Sequence, residues 1–256
     1  MFYTHKTFIG VDPTAGEKPI IYAAIDSDLR LLALGKGNTD DILAFAAGQR
    51  EALLAVCAPR QPNLGLMANP NVRQSLNPPP NPGRWENFRV VEYLLRQHGI
   101  PIPQTPVSED DCPNWMKQGF HIYKRLQSLG YRCYPDETAE RQYVEVYPHA
   151  VFTVLLDVLP LPKYSLEGRL QRQLVLYERE LGIPDPMRFF EEITRHRLIK
   201  GKLPFDDLYT AGELDALAAA FTVRQAIIHP ETVMLLGDAS EGQIVLPVSE
   251  LKSRYM

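Results

Sequence analysis

Half of the prolines in this chain fall in a single stretch. Between Pro59 and Pro113 lie 11 of the 22, including the run Asn77-Pro-Pro-Pro-Asn-Pro-Gly83. Proline fixes φ and has no backbone donor, so this stretch is neither a continuous helix nor a central strand. The rest of the fold must form on either side of it. Before it the chain reads as strands: Thr7–Asp12, Ile20–Ile25, then a turn at Asp26-Ser-Asp28 into Arg30–Leu34, a three-stranded meander. Thr39–Gln49 is amphipathic at helical spacing with Thr39 as its N-cap. Ala52–Val56 is continuously apolar, as in a strand covered on both faces. One helix, Trp85–His98, is expected inside the Pro-rich stretch, and a second, Asn114–Leu129, after it. A strand Gln142–Val146 and helices at Pro148–Leu156, Leu166–Leu181 and Pro186–Ile199 follow. Thr210-Ala-Gly-Glu213 is a capping box for a helix reaching Ile227, and Thr232–Leu236 with Gln243–Leu246 reads as a hairpin.

This order predicts an α/β protein of ribonuclease-H-like architecture. Its mixed sheet has three antiparallel strands followed by parallel ones, helices on both faces and a C-terminal hairpin. A single domain over 1–256 is expected, with a Pro-rich, partly helical insertion at about 59–132. Cys57, Cys112 and Cys133 are odd in number and show no metal-binding spacing, which points to a reducing cytoplasm. The first residues lack the layout of a signal peptide, and no apolar run approaches the roughly 20 residues that span a bilayer. The oligomeric state is not legible.

Three acids stand inside or at the end of apolar runs: Asp12 in Phe8-Ile-Gly-Val-Asp12, Glu145 in Tyr143-Val-Glu-Val-Tyr147, and Asp215 in Leu214-Asp-Ala-Leu-Ala-Ala-Ala-Phe221. Burying a lone carboxylate costs several kcal/mol or more unless it is paired or bound to a cation. No run contains a Lys or Arg, so the economical expectation is a shared divalent site. Hard carboxylate oxygens suit Mg²⁺ or Mn²⁺, and two such ions would hydrolyse a phosphodiester, with Asp12, Glu145 and Asp215 as catalytic ligands. Each acid also has an ordinary reading. Asp12-Pro13 suits a turn, Glu145 could face solvent from an edge strand, and Asp215 could lie on a solvated helix stripe.

Gly10-Val-Asp12, Val144-Glu-Val-Tyr-Pro148 and Leu214-Asp-Ala-Leu-Ala-Ala-Ala-Phe221 resemble the signature blocks of the domain of unknown function 429 family. Gly237-Asp-Ala-Ser-Glu-Gly-Gln-Ile-Val-Leu-Pro247 resembles its closing hairpin. The resemblance implies a ribonuclease-H-like fold and predicted nuclease activity. The family typically ends its fourth strand with Ile-Asp-Ala-Pro, whereas this chain has Val56-Cys57-Ala-Pro59. A soft thiol there suits Mg²⁺ poorly. Either Asp206, Asp207 or Glu213 compensates, or metal affinity falls, or catalysis is lost. Cys57 as a nucleophile is a further reading, although no flanking charge favours its thiolate.

Residues 60–132 carry nine Lys and Arg against five acids, within a chain of net charge -4. Trp85 and Trp115 lie among them, and basic side chains with stacking aromatics suit a nucleic-acid surface. Arg73, Arg84 and Lys117 are its expected phosphate contacts, the alternative being two solvated amphipathic helices. The leading expectation is a metal-dependent nuclease. Its rivals are a non-catalytic nucleic-acid-binding or scaffold protein of the same fold, and an actin-like or sugar-kinase-type phosphotransferase using Asp12-Pro13-Thr-Ala-Gly16 as a phosphate loop.

Overall fold

A computed structural model describes residues 6–14, 18–81 and 83–256. In chain order the elements are β1 (Thr7–Asp12), β2 (Ile20–Ile25), β3 (Leu31–Gly37), α1 (Thr39–Ala47), β4 (Ala52–Val56), α2 (Pro70–Ser75), α3 (Val90–Gln97), α4 (Asn114–Ser128) and β5 (Arg132–Cys133). They continue as β6 (Arg141–Glu145), α5 (Pro148–Leu156), α6 (Leu166–Glu178), α7 (Arg188–Glu192), α8 (Arg195–Ile199), α9 (Ala211–Ile228), β7 (Met234–Asp238) and β8 (Gly242–Leu246).

The sheet runs β3-β2-β1-β4-β6-β8-β7, with β5 also pairing β6. The first three strands are antiparallel, β1-β4-β6-β8 are parallel, and β7-β8 is an antiparallel hairpin. This mixed sheet fits a ribonuclease-H-like fold. One face packs against α5, α6 and α9 through Phe8, Leu53, Val144 and the alanines of α9. The other packs Ile9, Val11, Leu54 and Val56 against α1 and α4. The alternation along β1 is the period-two rule of a strand, with both faces apolar because both are covered.

Gly10 lets α9 approach β1. A Cβ there would stand 1.9 Å from the Ala216 carbonyl oxygen and 2.6 Å from the Ala220 nitrogen, so no side chain fits. The alanine run of α9 serves the same close contact, and Thr210 begins the helix with the expected capping box shared with Glu213. The Pro-rich stretch forms a satellite cluster in which Met67, Val90 and Tyr93 pack with Trp85.

Several boundaries differ from the sequence expectation for identifiable reasons. Asn38, not Thr39, caps α1, since its side chain accepts from the Asp41 amide in a capping box. The expected helix 85–98 begins only at Val90, after the Arg89 N-cap. The expected helix 186–199 is broken into α7 and α8, because Thr194 caps the second piece through the Arg197 amide. Among the described residues no helix is long and apolar enough to cross a membrane.

Candidate functional site

Register decides which side chains meet at the C-terminal ends of the parallel strands. Val11 pairs with Val56, and Val56 with Glu145. Paired residues share a face, so Glu145 projects with Val11 and Val56 towards the α4 side. Asp12 lies one residue further on and projects towards α9, together with Cys57. Asp215, in the first turns of α9, comes to the same place. The three acids expected to converge therefore do not. Asp12 and Asp215 face one another across the α9 side, while Glu145 is on the opposite face of the sheet.

Glu145 is buried and fully partnered. Arg89 Nη2 donates to both its oxygens at 2.9 Å, and the Arg60 amide donates to Oε1 at 2.7 Å. Glu241 is buried beside it, accepting from the Val90 amide at 2.8 Å. Glu92 accepts from the Thr105 amide and hydroxyl, and burial pushes its carboxyl up to about 7. Burial opposes the Arg89 charge, yet Glu145 and Glu92 hold its guanidinium above its ordinary value. Three carboxylates thus surround one buried arginine. The cationic partner that the local sequence around Glu145 lacks is supplied by Arg89, from the N-cap of α3.

The Asp12–Asp215 side is an open cleft of about 680 Å³, lined also by Lys18, Lys36, Lys163 and Arg172. Burial, then the charge of Asp215, raises the Asp12 carboxyl to about 6. Its Oδ1 accepts from the Thr14 amide at 3.2 Å. Gly212 gives it room, since a Cβ there would lie 3.0 Å from Asp12 Oδ2. Burial also works against the Asp215 charge, and Lys163 Nζ, donating to Oδ2 at 2.9 Å, offsets part of that cost. In return Asp215 more than compensates the burial of Lys163 and holds its ammonium above its ordinary value. Cys57 sits beside them, its Sγ 3.7 Å from the Asp215 carbonyl oxygen. Burial and the two nearby carboxylates push its thiol well up, which disfavours a nucleophilic thiolate.

Several residues of the cleft were not anticipated as site residues, among them Lys163, Arg172 and His149. His149 Nε2 is buried without a hydrogen-bond partner, and burial together with Arg172 and Lys163 lowers its imidazole to about 4. The ring is therefore neutral at physiological pH. Its place just after the Pro148 start of α5 gave no signal, because only the fold brings Lys163 and Arg172 towards it.

Asp206, Asp207 and Glu213 do not take the place of a fourth-strand acid. Glu213 is committed to the α9 capping box and to Lys36 at 3.0 Å. Asp207 lies in a separate depression with Arg188 and Phe189, and exposed Asp206 lines the same depression. Among the described residues no group of three or more His, Cys, Asp or Glu stands close enough to hold a metal ion. The donors that do face one another, Asp12 and Asp215, are hard oxygens. Such oxygens are of the kind that would hold Mg²⁺ or Mn²⁺, but two carboxylates are too few for a pair of bridged ions.

The expected basic surface is also rearranged. Arg73 turns inward to the Met67 and Ala68 carbonyls and to Glu86. Arg84 lies over the Trp85 ring at 5.1 Å. Lys117 lines a depression of about 620 Å³ that shares Thr14 and Lys18 with the cleft. The three share no cavity. The phosphate loop of the kinase alternative falls at Asp12–Gly16, of which residues 15 and 16 lie outside the described residues.

A family model for proteins of unknown function, DUF429, matches residues 104–241, more than half of the chain. The chain belongs to this family. The DUF429 match takes in Glu145, His149, Lys163 and Asp215 and begins after Asp12 and Cys57. No curated protein and no solved structure matched the chain.

Proposed function

We propose that the protein hydrolyses phosphodiester bonds of nucleic acid with one divalent cation held by Asp12 and Asp215. The observation that carries this reading is the meeting of these two carboxylates inside a cleft that also holds Lys18, Lys36, Lys163 and Arg172. A bound Mg²⁺ or Mn²⁺ supplies a Lewis acid that polarises the phosphoryl group and lowers the pKa of bound water. Two carboxylates alone give a weak, single-ion site, and the chain's own side chains make up part of the difference. Lys163, fixed by Asp215, provides a positive charge in the cleft beside the two carboxylates. It is suited to offsetting charge on phosphoryl oxygens. His149, neutral at physiological pH, lines the cleft beside Lys163 and Arg172 without adding a charge to it. Glu145 has no part in this chemistry; its role is to neutralise Arg89.

Cys57 faces the same cleft as Asp12 and Asp215, so Cys57→Asp adds a third carboxylate where the family pattern places one. Mg²⁺-dependent cleavage of labelled oligonucleotides is expected to rise above that of the unmodified protein, and the metal-free fold to lose stability. The assay compares both proteins with Mg²⁺, Mn²⁺ and chelator. Absence of cleavage by either protein, with Mn²⁺ bound by both, would overturn the nuclease reading in favour of a binding role.

A further inference from the structure

The cleft carries one aromatic side chain that packing does not use. Tyr164 is 79% exposed although it lines the cleft wall beside Asp215. A lone exposed aromatic needs no explanation in itself. This one is different in three respects. Its backbone is held, since the Ser165 amide donates to the Pro162 carbonyl at 3.1 Å and the Ser165 hydroxyl caps α6 through the Gly168 amide. Its ring has the Lys163 ammonium 5.2 Å from its centroid, and that same ammonium donates to Asp215. Trp115 and Tyr147 contribute to the lining of the same cleft. A planar ring, a cation against it and a candidate metal-binding carboxylate thus follow one another in space.

We propose that the cleft binds single-stranded nucleic acid, with one unpaired base stacked on Tyr164 and the adjoining phosphates directed to Lys163, Lys18 and Lys36. Stacking plus a cationic track is how strands are held without base-pair readout, since every base offers a π-face. A duplex keeps its bases inside the stack and presents no such face unless one is flipped out. The proposal deepens the nuclease reading and rests on it for the choice of a polyanionic ligand. It also predicts linkage to metal. Lys18, Lys36, Lys163 and Arg172 stand against Asp12, Asp215 and the Glu213 that pairs Lys36, so the metal-free cleft carries only a small positive excess. A divalent cation on Asp12 and Asp215 tips it further towards anions.

The test is fluorescence anisotropy with one labelled oligonucleotide, single-stranded or annealed to its complement, in Ca²⁺ or chelator so that binding is read apart from turnover. The single strand is expected to bind more tightly than the duplex, and more tightly with Ca²⁺ than with chelator. Tyr164→Ala should weaken single-strand binding by about 5- to 150-fold, the range for losing one base–aromatic stack. Tyr164→Phe should retain it. Tyr164 packs against nothing in the core, so Tyr164→Ala should leave the Tm unchanged. Equal affinity for strand and duplex, or an unaffected Tyr164→Ala protein, overturns the proposal. Strand binding that depends on Tyr164 without any cleavage in Mg²⁺ or Mn²⁺ overturns the nuclease reading and supports this one.

Discussion

Arg89→Met is expected to lower the stability of the fold by about 3–5 kcal/mol at neutral pH, the usual cost of removing one partner from a buried ion pair. The direction follows from charge. Arg89 is 1% exposed and its guanidinium faces Glu145, Glu92 and Glu241, so its loss removes the one cation that acts on all three buried carboxylates. Glu145→Gln removes only one of the three and keeps the shape, and should cost less, about 1–3 kcal/mol. In the Arg89→Met protein the stranded carboxylates escape their cost by taking up protons. The deficit should therefore shrink as pH falls from 7 towards 5. Urea unfolding of the three proteins at both values measures this. An Arg89→Met protein as stable as the unmodified one would show that the buried arginine does not hold this corner of the sheet.

Asp12→Asn is expected to have the opposite effect on the metal-free protein. The folded carboxyl titrates at about 6, above its ordinary value of 3.8. Between those values the folded state binds more protons than the unfolded state, so stability falls as pH rises through that window. At about 1.4 kcal/mol per pKa unit the accumulated loss above pH 6 is about 3 kcal/mol. Asn keeps the oxygen that accepts from the Thr14 amide and carries no charge. Asp12→Asn should therefore stabilise the metal-free fold by about 2–3 kcal/mol at pH 8 and leave it nearly unchanged at pH 4. Thermal unfolding across that range without metal reads the difference. A loss of stability at pH 8 would mean that the Asp12 charge is paired in the fold rather than stranded. Function at the expense of stability is the usual signature of a ligand position without its ligand.

Much of the sheet is legible from local pattern because its physics is local. The apolar runs of β1, β2 and β4, the Pro148 start of α5 and the Thr210–Glu213 capping box each carry their own signal. The acids were a mixed case. Asp12 and Asp215 stand out for the right reason, a carboxylate in an apolar run without a cation nearby. Glu145 stands out in the same way, but its partner is 56 residues away and on no shared motif. Which face it takes depends on the register of β6 against β4, and a shift of one residue would have turned it towards Asp12. His149 and Tyr164 had no local signal at all. Their significance comes from Lys163, which the fold sets between them and Asp215.

The proposed metal site consists of Asp12 and Asp215 without Glu145. Its most direct test is the rise in Tm on adding Mn²⁺ at pH 7.5 to the unmodified protein and to Asp12→Asn, Asp215→Asn and Glu145→Gln. A ligand that binds only the folded state raises its stability, so each protein reports its own site. The rise should be present in the unmodified protein and in Glu145→Gln, from that variant's lower starting Tm, and absent from both aspartate variants. A folded Glu145→Gln protein that has lost the rise, or aspartate variants that keep it, would show that Asp12 and Asp215 are not the metal ligands.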